Sequence, residues 1–205
     1  MSESSTNSRL EAFCDGVFAI ALTLLIIGVG IPASAAINTT HDLWLALAGV
    51  TPSIVSFLLS FIVILIQWVN HHAALRLVNR FSPQFIYANG FLLLTVVFIP
   101  FPTALLGRFL FSDHAAPAVV IYSAVLFLQS IGWWLLTVTS LTPHPLAKSE
   151  KAKATILKNR KYAYFAMALY AACAIAANWF PPIVAAIIAL VWIFWIFVGV
   201  NLKEG

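Results

Sequence analysis

Six long apolar stretches, separated by short polar segments, dominate the pattern of this chain. They run approximately over residues 10–31, 43–69, 85–106, 118–141, 162–179 and 182–202. Each stretch is far longer than a strand, and about 20 apolar residues cross a bilayer as a helix. The pattern therefore predicts an all-α membrane protein with six transmembrane helices. Residues 1–205 are expected to form one six-helix domain, with a short polar tail at 1–8 and a basic loop at 143–160.

Composition narrows the class of protein further. Hydrophobic residues make up 62% of the chain, charged residues 9%, and the mean hydropathy is +0.97. Soluble domains are about half apolar and about a quarter charged, so the chain is not expected to be a soluble enzyme or a nucleic-acid binder. Two cysteines are too few for a disulfide scaffold. Neither a cofactor nor a structural metal is expected.

The distribution of Lys and Arg predicts the orientation in the membrane. With the N-terminus in the cytoplasm and six spans, ten of the eleven basic residues fall on the cytoplasmic side. These ten are Arg9, Arg76, Arg80, Lys148, Lys151, Lys153, Lys158, Arg160, Lys161 and Lys203. Arg108 alone falls outside. Basic residues concentrate in cytoplasmic loops, so both termini are predicted to be cytoplasmic, in a multi-pass protein of the cell membrane.

The first helix carries the most distinctive motif. Arg9-Leu10-Glu11-Ala12-Phe13-Cys14-Asp15 is followed by Gly-Val-Phe-Ala-Ile-Ala-Leu-Thr-Leu-Leu. This stretch resembles the transmembrane-protein-175 family of potassium channels, whose signature is R-x-x-x-F-S-D followed by G-V-F-A-I-A-x-T-L-L. The likeness extends to residues 68–72 and 100–103. Cys14 replaces the family's Ser, which weakens hydrogen bonding at that position.

The resemblance implies a role for one face of the first helix. At 100° per residue, Ile20, Leu24 and Ile27 lie on one stripe. Taken alone, such a stripe is typical of ordinary packing or of a lipid-facing surface. In the family, aliphatic residues at matching positions form the constriction of a central pore. The resemblance thus implies a potassium channel that is a symmetric homotetramer, with the first helix of each subunit lining the pore.

The same resemblance defines the predicted gate. A narrow apolar ring excludes water by dewetting, so ions pass only when the ring dilates, and discrimination between cations is expected to be weak. Thr23 is the hydroxyl positioned near the ring. It either offers an oxygen to the ion or bonds to the backbone of the preceding turn, and the sequence leaves both open.

Asp15 is expected to support the helix and not to line the pore. It lies about 140° from the stripe by helical geometry. Ionisable groups inside a membrane are costly and need partners. We predict a polar network that joins the first helix to the second and third; its members are Arg9, Asp15, Trp68, one of His71 and His72, and Asn89. Phe13 and Cys14 complete the signature.

A second class of function stays open at this stage. A proton-coupled secondary transporter could use Asp15 and the neighbouring histidines. Such carriers usually show inverted repeats and broken helices around a midplane site, and neither is visible in the sequence. A metal site at His71 and His72 is disfavoured, because adjacent helical residues point about 100° apart. No nucleic-acid partner and no enzymatic activity are expected.

Overall fold

The computed structural model describes residues 3–33, 37–142 and 145–201, with side chains described between 8 and 195, and most of these residues are helical. Its α-helices are α1 (Glu3–Leu24), α2 (Thr40–Gly49), α3 (Thr51–Leu75), α4 (Pro83–Phe98), α5 (Pro100–Phe109), α6 (Ala115–Thr139), α7 (Glu150–Ala176) and α8 (Pro181–Asn201). A 3₁₀ helix, Leu25–Val29, continues α1. The prediction of an all-α fold is confirmed for this part of the chain.

Four stretches in the described residues are long and apolar enough to cross a membrane. They are Ser8–Val29, Thr51–Leu75, Pro83–Phe109 and Ala115–Thr139. The predicted fifth span lies in the second half of α7, and the predicted sixth lies in α8, whose part with described side chains, Pro181–Trp195, is apolar. The count of six spans therefore stays a prediction.

Local signals explain where several helices begin and end. Ser82 and Ser149 accept backbone N–H bonds from Phe85 and Ala152, and so cap α4 and α7. Thr39 and Asp42 form a reciprocal capping box at α2. Hydrogen bonding by Thr39, and then by the Asn38 N–H, holds the pKa of Asp42 below its usual value. These caps satisfy N–H groups that have no partner within the helix.

Two segments predicted as irregular are helical instead. The expected tail at 1–8 belongs to α1 from Glu3 onwards. The expected basic loop at 143–160 is helical from Glu150, because Ser149 caps α7 and residues 150–163 include good helix formers such as Lys, Ala and Leu. Residues 143 and 144 lie outside the described residues, as do the terminal positions 1–2 and 202–205.

The helices pack closely where glycine allows it. A Cβ at Gly107 of α5 would lie 2.7 Å from the Cα of Ser53 in α3, and one at Gly132 of α6 would lie 3.0 Å from the Cα of Leu92 in α4. No larger residue fits at these two positions without moving a backbone. The α1 helix packs on α3 and α4, and α7 packs mainly on α6. The core lies between these helices.

A backbone connection brings two basic connecting segments together. The N–H of Asn79 donates to the carbonyl of Leu146 at 2.9 Å, and the N–H of Lys148 donates to that of Leu77 at 2.9 Å. The α3–α4 and α6–α7 connections therefore meet at one end of the bundle.

A cavity of about 400 Å³ lies beside Gly30, Pro32 and Arg108, where the 3₁₀ helix ends.

Candidate pore helix and its polar supports

The first helix presents two apolar stripes with opposite environments. Phe13, Ile20, Leu24 and Ile27 are 61%, 58%, 39% and 72% exposed, respectively. Cys14, Phe18, Ala21 and Leu25 are almost completely buried against the rest of the chain. Helical geometry places the mean directions of the two stripes about 120° apart. One stripe thus anchors the helix in its own subunit, and the other is left uncovered by it.

The far end of the uncovered stripe lies in the 3₁₀ helix and not in α1 itself. The sequence predicts an unbroken helix over 10–31, whereas the α-helical part ends at Leu24. Residues three apart eclipse one another in a 3₁₀ helix, so Ile27 stays in line with Leu24. Gly30, with φ of 69°, then ends the helical segment in a conformation that favours glycine.

Thr23 uses its hydroxyl hydrogen locally. Its Oγ1 donates to the carbonyl of Ile20 at 2.8 Å, and the side chain is exposed. The sequence left a backbone bond and an ion-facing oxygen as alternatives, and the backbone bond is present. This bond uses the hydrogen only. The oxygen keeps lone pairs for another donor or for a cation.

Asp15 and Trp68 are brought together as the sequence predicts. The indole Nε1 of Trp68 in α3 donates to Asp15 Oδ1 at 2.8 Å, a charge-assisted bond between helices. The ring of His72 lies 6.3 Å from that of Trp68. Arg9 is exposed and forms no ion pair with any described residue. The structure therefore does not join Arg9 to the predicted network.

A second, buried group of contacts holds the other side of α1. His71 Nε2 lies 2.6 Å from Asn89 Oδ1, and Asn89 Nδ2 donates to Cys14 Sγ at 3.1 Å. Because the Asn89 amide gives its hydrogen to the sulfur, its oxygen must accept, so Nε2 of His71 carries the proton. The ring of Phe18 lies 5.3 Å from that of His71. These contacts link α1, α3 and α4.

Residue-level reasoning missed two features of these contacts. It assigned Cys14 only a weakened hydrogen bond, whereas the thiol receives the Asn89 amide directly. It also overlooked a chain of Trp133, Gln67 and Gln129, in which Trp133 Nε1 donates to Gln67 Oε1 at 2.6 Å and Gln67 Nε2 donates to Gln129 Oε1 at 2.9 Å. The available signal was two amides inside apolar stretches, since each such amide needs a partner.

The fold and this helix define a multi-pass α-helical membrane protein whose first helix exposes an aliphatic stripe. Residues 9–100 match the family described as "Endosomal/lysosomal potassium channel TMEM175". A potassium channel of Streptomyces collinus is 37% identical over 157 residues, which cover 74% of this chain and 75% of that relative. The chain belongs to the TMEM175 family, as its first helix predicts.

Two further similarities agree with this membership. A potassium channel of Chamaesiphon minutus is 45% identical over 123 residues, which make up 60% of this chain and 60% of that relative's length. The crystal structure of a lysosomal potassium-selective channel TMEM175 homologue from Chamaesiphon minutus superposes with a TM-score of 0.84 at 32% identity. That superposition covers 95% of this chain and 98% of the other. The fold is thus shared over nearly the whole length.

Proposed function

We propose that this protein is a potassium-permeable cation channel of the cell membrane. Four copies assemble around a central axis, and α1 of each subunit lines the pore. Ile20, Leu24 and Ile27 form the constriction, and Thr23 offers an oxygen beside it. The proposal rests on family membership and on the names of the two relatives described above, both of which are called potassium channels.

The uncovered stripe of α1 is the observation that carries the proposal. Each chain supplies one copy of this α1 stripe, and a single helix cannot enclose an ion path. Closed point-group symmetry supplies further copies of the same helix. The buried stripe of Cys14, Phe18, Ala21 and Leu25 would keep each pore helix fixed in its own subunit. In this arrangement the buried stripe anchors α1 in its subunit, and the exposed stripe lines the pore.

An aliphatic ring gates by excluding water. A pore narrow enough and apolar enough dewets, and an ion cannot cross while its hydration shell has no replacement. Dilation of the ring by movement of α1 would restore the water column. The sequence contains no T-V-G-Y-G-type loop to replace hydration with carbonyl oxygens. Discrimination between potassium and sodium is therefore expected to be weak.

The orientation follows from charge and from the arrangement of the connecting segments. We place both termini and the joined α3–α4 and α6–α7 connections in the cytoplasm, with α7 and α8 as the fifth and sixth spans. The two joined connections include Arg76, Arg80 and Lys148, and the opposite end includes Arg108. This arrangement agrees with the preference of basic residues for the cytoplasmic side.

A flux assay in liposomes tests the channel. Purified protein is reconstituted with a potassium gradient, and flux is followed with an ion-sensitive dye for the wild type, Leu24→Ala and Ile26→Ala. Leu24 and Ile26 are both exposed aliphatic residues, but only Leu24 lies on the stripe. We expect Leu24→Ala to raise flux about tenfold, a change of about 1.4 kcal/mol in the barrier, and Ile26→Ala to leave it unchanged. Flux that saturates and depends strictly on a proton gradient would instead indicate a carrier.

The assembly is tested independently of flux. Mass measurement in mild detergent should give four times 22.4 kDa after correction for bound detergent. A stable monomer that still conducts would show that the pore is not shared between subunits. A stable dimer would also contradict it.

A further inference from the structure

The subunit contains a second polar feature, away from the exposed stripe of α1. A cavity of about 70 Å³ lies between α3, α6, α7 and α8. Its lining includes Leu126, Ala163 and Ala166, which are apolar, together with Gln129, Asn70 and Tyr170. The lining thus combines apolar side chains with several that can form hydrogen bonds. Ligand sites in general combine apolar walls with hydrogen-bonding groups, and this cavity is smaller than most of them.

The orientation of Gln129 is determined by its neighbours. The Trp133 indole can only donate, so the atom of Gln67 that receives it at 2.6 Å must be the amide oxygen. The Gln67 nitrogen therefore faces Gln129 and donates to its oxygen at 2.9 Å. The Gln129 Nε2 group must then point the other way.

The Gln129 amide nitrogen is left without a partner. The residue is 1% exposed, and its Nε2 has no hydrogen-bond acceptor among the described residues. Asn70 Oδ1, also at the cavity, is buried and has no donor among them either. Tyr170 accepts from Trp195 at 3.2 Å, which leaves its own hydroxyl hydrogen to donate. Burying an amide without a hydrogen-bond partner costs free energy. A molecule in the cavity that pairs with these groups would remove that cost.

We propose that this cavity is a binding site for a short-chain alcohol. The hydroxyl oxygen accepts from Gln129 Nε2, and the hydroxyl hydrogen is donated to Asn70 Oδ1. The alkyl part packs against Leu126, Ala163 and Ala166. A charged ligand does not fit this lining, because none of the residues at the cavity carries a formal charge to compensate for its burial.

The size of the cavity limits the ligand. A cavity of about 150 Å³ accommodates benzene, so about half that volume suits a molecule of roughly three or four heavy atoms. Ethanol and propan-1-ol are of this size. Since so few atoms contribute, we expect affinity on the order of millimolar. Binding does not require ion conduction, so it can be tested even if the channel proposal fails.

Saturation-transfer NMR with propan-1-ol tests the site. The protein is held in nanodiscs of deuterated lipid, and the signal is compared among the wild type, Ala166→Leu, Gln129→Met and Ala168→Leu. Ala166 is buried at the cavity, while Ala168 is exposed on the same helix and serves as the matched control. Comparison of the two leucine variants removes the contribution of alcohol dissolved in the lipid.

We expect saturable binding that Ala168→Leu retains and Ala166→Leu weakens at least tenfold. Gln129→Met should weaken it about fivefold, as loss of one hydrogen bond predicts. Equal signals from the wild type and Ala166→Leu would overturn the proposal. An absence of saturable binding in the wild type would also overturn it, with water as the occupant. If Ala166→Leu fails to assemble, Ala163→Val adds less volume at the same cavity and decides between the outcomes.

Discussion

The two stripes of α1 are almost equally apolar, yet they have opposite environments. Phe18 is buried on one stripe, while Phe13 on the other is more than half exposed. The buried stripe contacts α3 and α4 and includes a polar contact between Cys14 and Asn89. The exposed stripe has no such contacts within the described residues. Hydropathy alone cannot distinguish them, because both lipid and a protein interior accept the same side chains.

The largest expected effect is the difference in stability between the Phe18→Ala and Phe13→Ala variants. Phe18→Ala would leave a cavity in the core and should lower the free energy of unfolding by about 3–5 kcal/mol. Phe13→Ala removes an identical side chain from the exposed stripe and should cost less than about 1 kcal/mol in the isolated subunit. Denaturant titration in detergent, followed by circular dichroism, measures both. Equal losses for the two variants would contradict the division into stripes.

The next effect concerns the polar end of the buried stripe. Asn89→Leu would leave the Nε2–H of His71 buried without an acceptor, since Asn89 Oδ1 lies 2.6 Å away in the native protein. An unpaired buried donor costs about 1–3 kcal/mol. Gln84→Leu, on the exposed first turn of α4, is the control and should change stability by less than about 0.5 kcal/mol. The same unfolding titration applies. A neutral Asn89→Leu would mean that the bond contributes nothing.

The sequence predicts what depends on local periodicity and misses what depends on packing between helices. Helical spacing separates Ile20 from Phe18, the family resemblance assigns Ile20 to the uncovered face, and the Asp15–Trp68 contact follows from the need to pair a charge. Which of His71 and His72 faces inward depends on the rotation of α3 about its axis. The rest of the core sets that rotation. The 3₁₀ end of the first helix lies where Gly28 packs closely against Ala104, a tertiary contact that periodicity does not reveal. The break before Pro100 has a local cause instead, because proline lacks the N–H that continues a helix.

A polar substitution on the exposed stripe tests whether Ile20 lines the pore. If Ile20 lines a dewetted ring, Ile20→Asn should hydrate it and raise resting potassium flux about tenfold, equivalent to about 1.4 kcal/mol. Ala19→Asn adds the same amide one residue earlier, about 100° away around the helix. It should leave flux unchanged. Liposome flux under a potassium gradient distinguishes the two variants. Equal flux from both would show that Ile20 does not form the constriction.

The smallest effect lies at Asp15, between the two stripes. Asp15→Asn keeps an oxygen that can accept from Trp68 but removes the charge, so we expect a loss of about 1 kcal/mol in unfolding free energy. Trp68→Phe removes the donor and should destabilise by a similar amount through this bond.

A double-mutant cycle isolates that interaction. If the Asp15–Trp68 bond carries the effect, the double variant loses about 1 kcal/mol less than the sum of the single variants. Additive losses would assign the cost to packing of the indole ring instead. Flux in the same variants adds an independent readout, because a loosened α1 would shift the aliphatic ring. An Asp15→Asn protein that assembles and conducts like the wild type would show that the buried stripe alone positions the first helix.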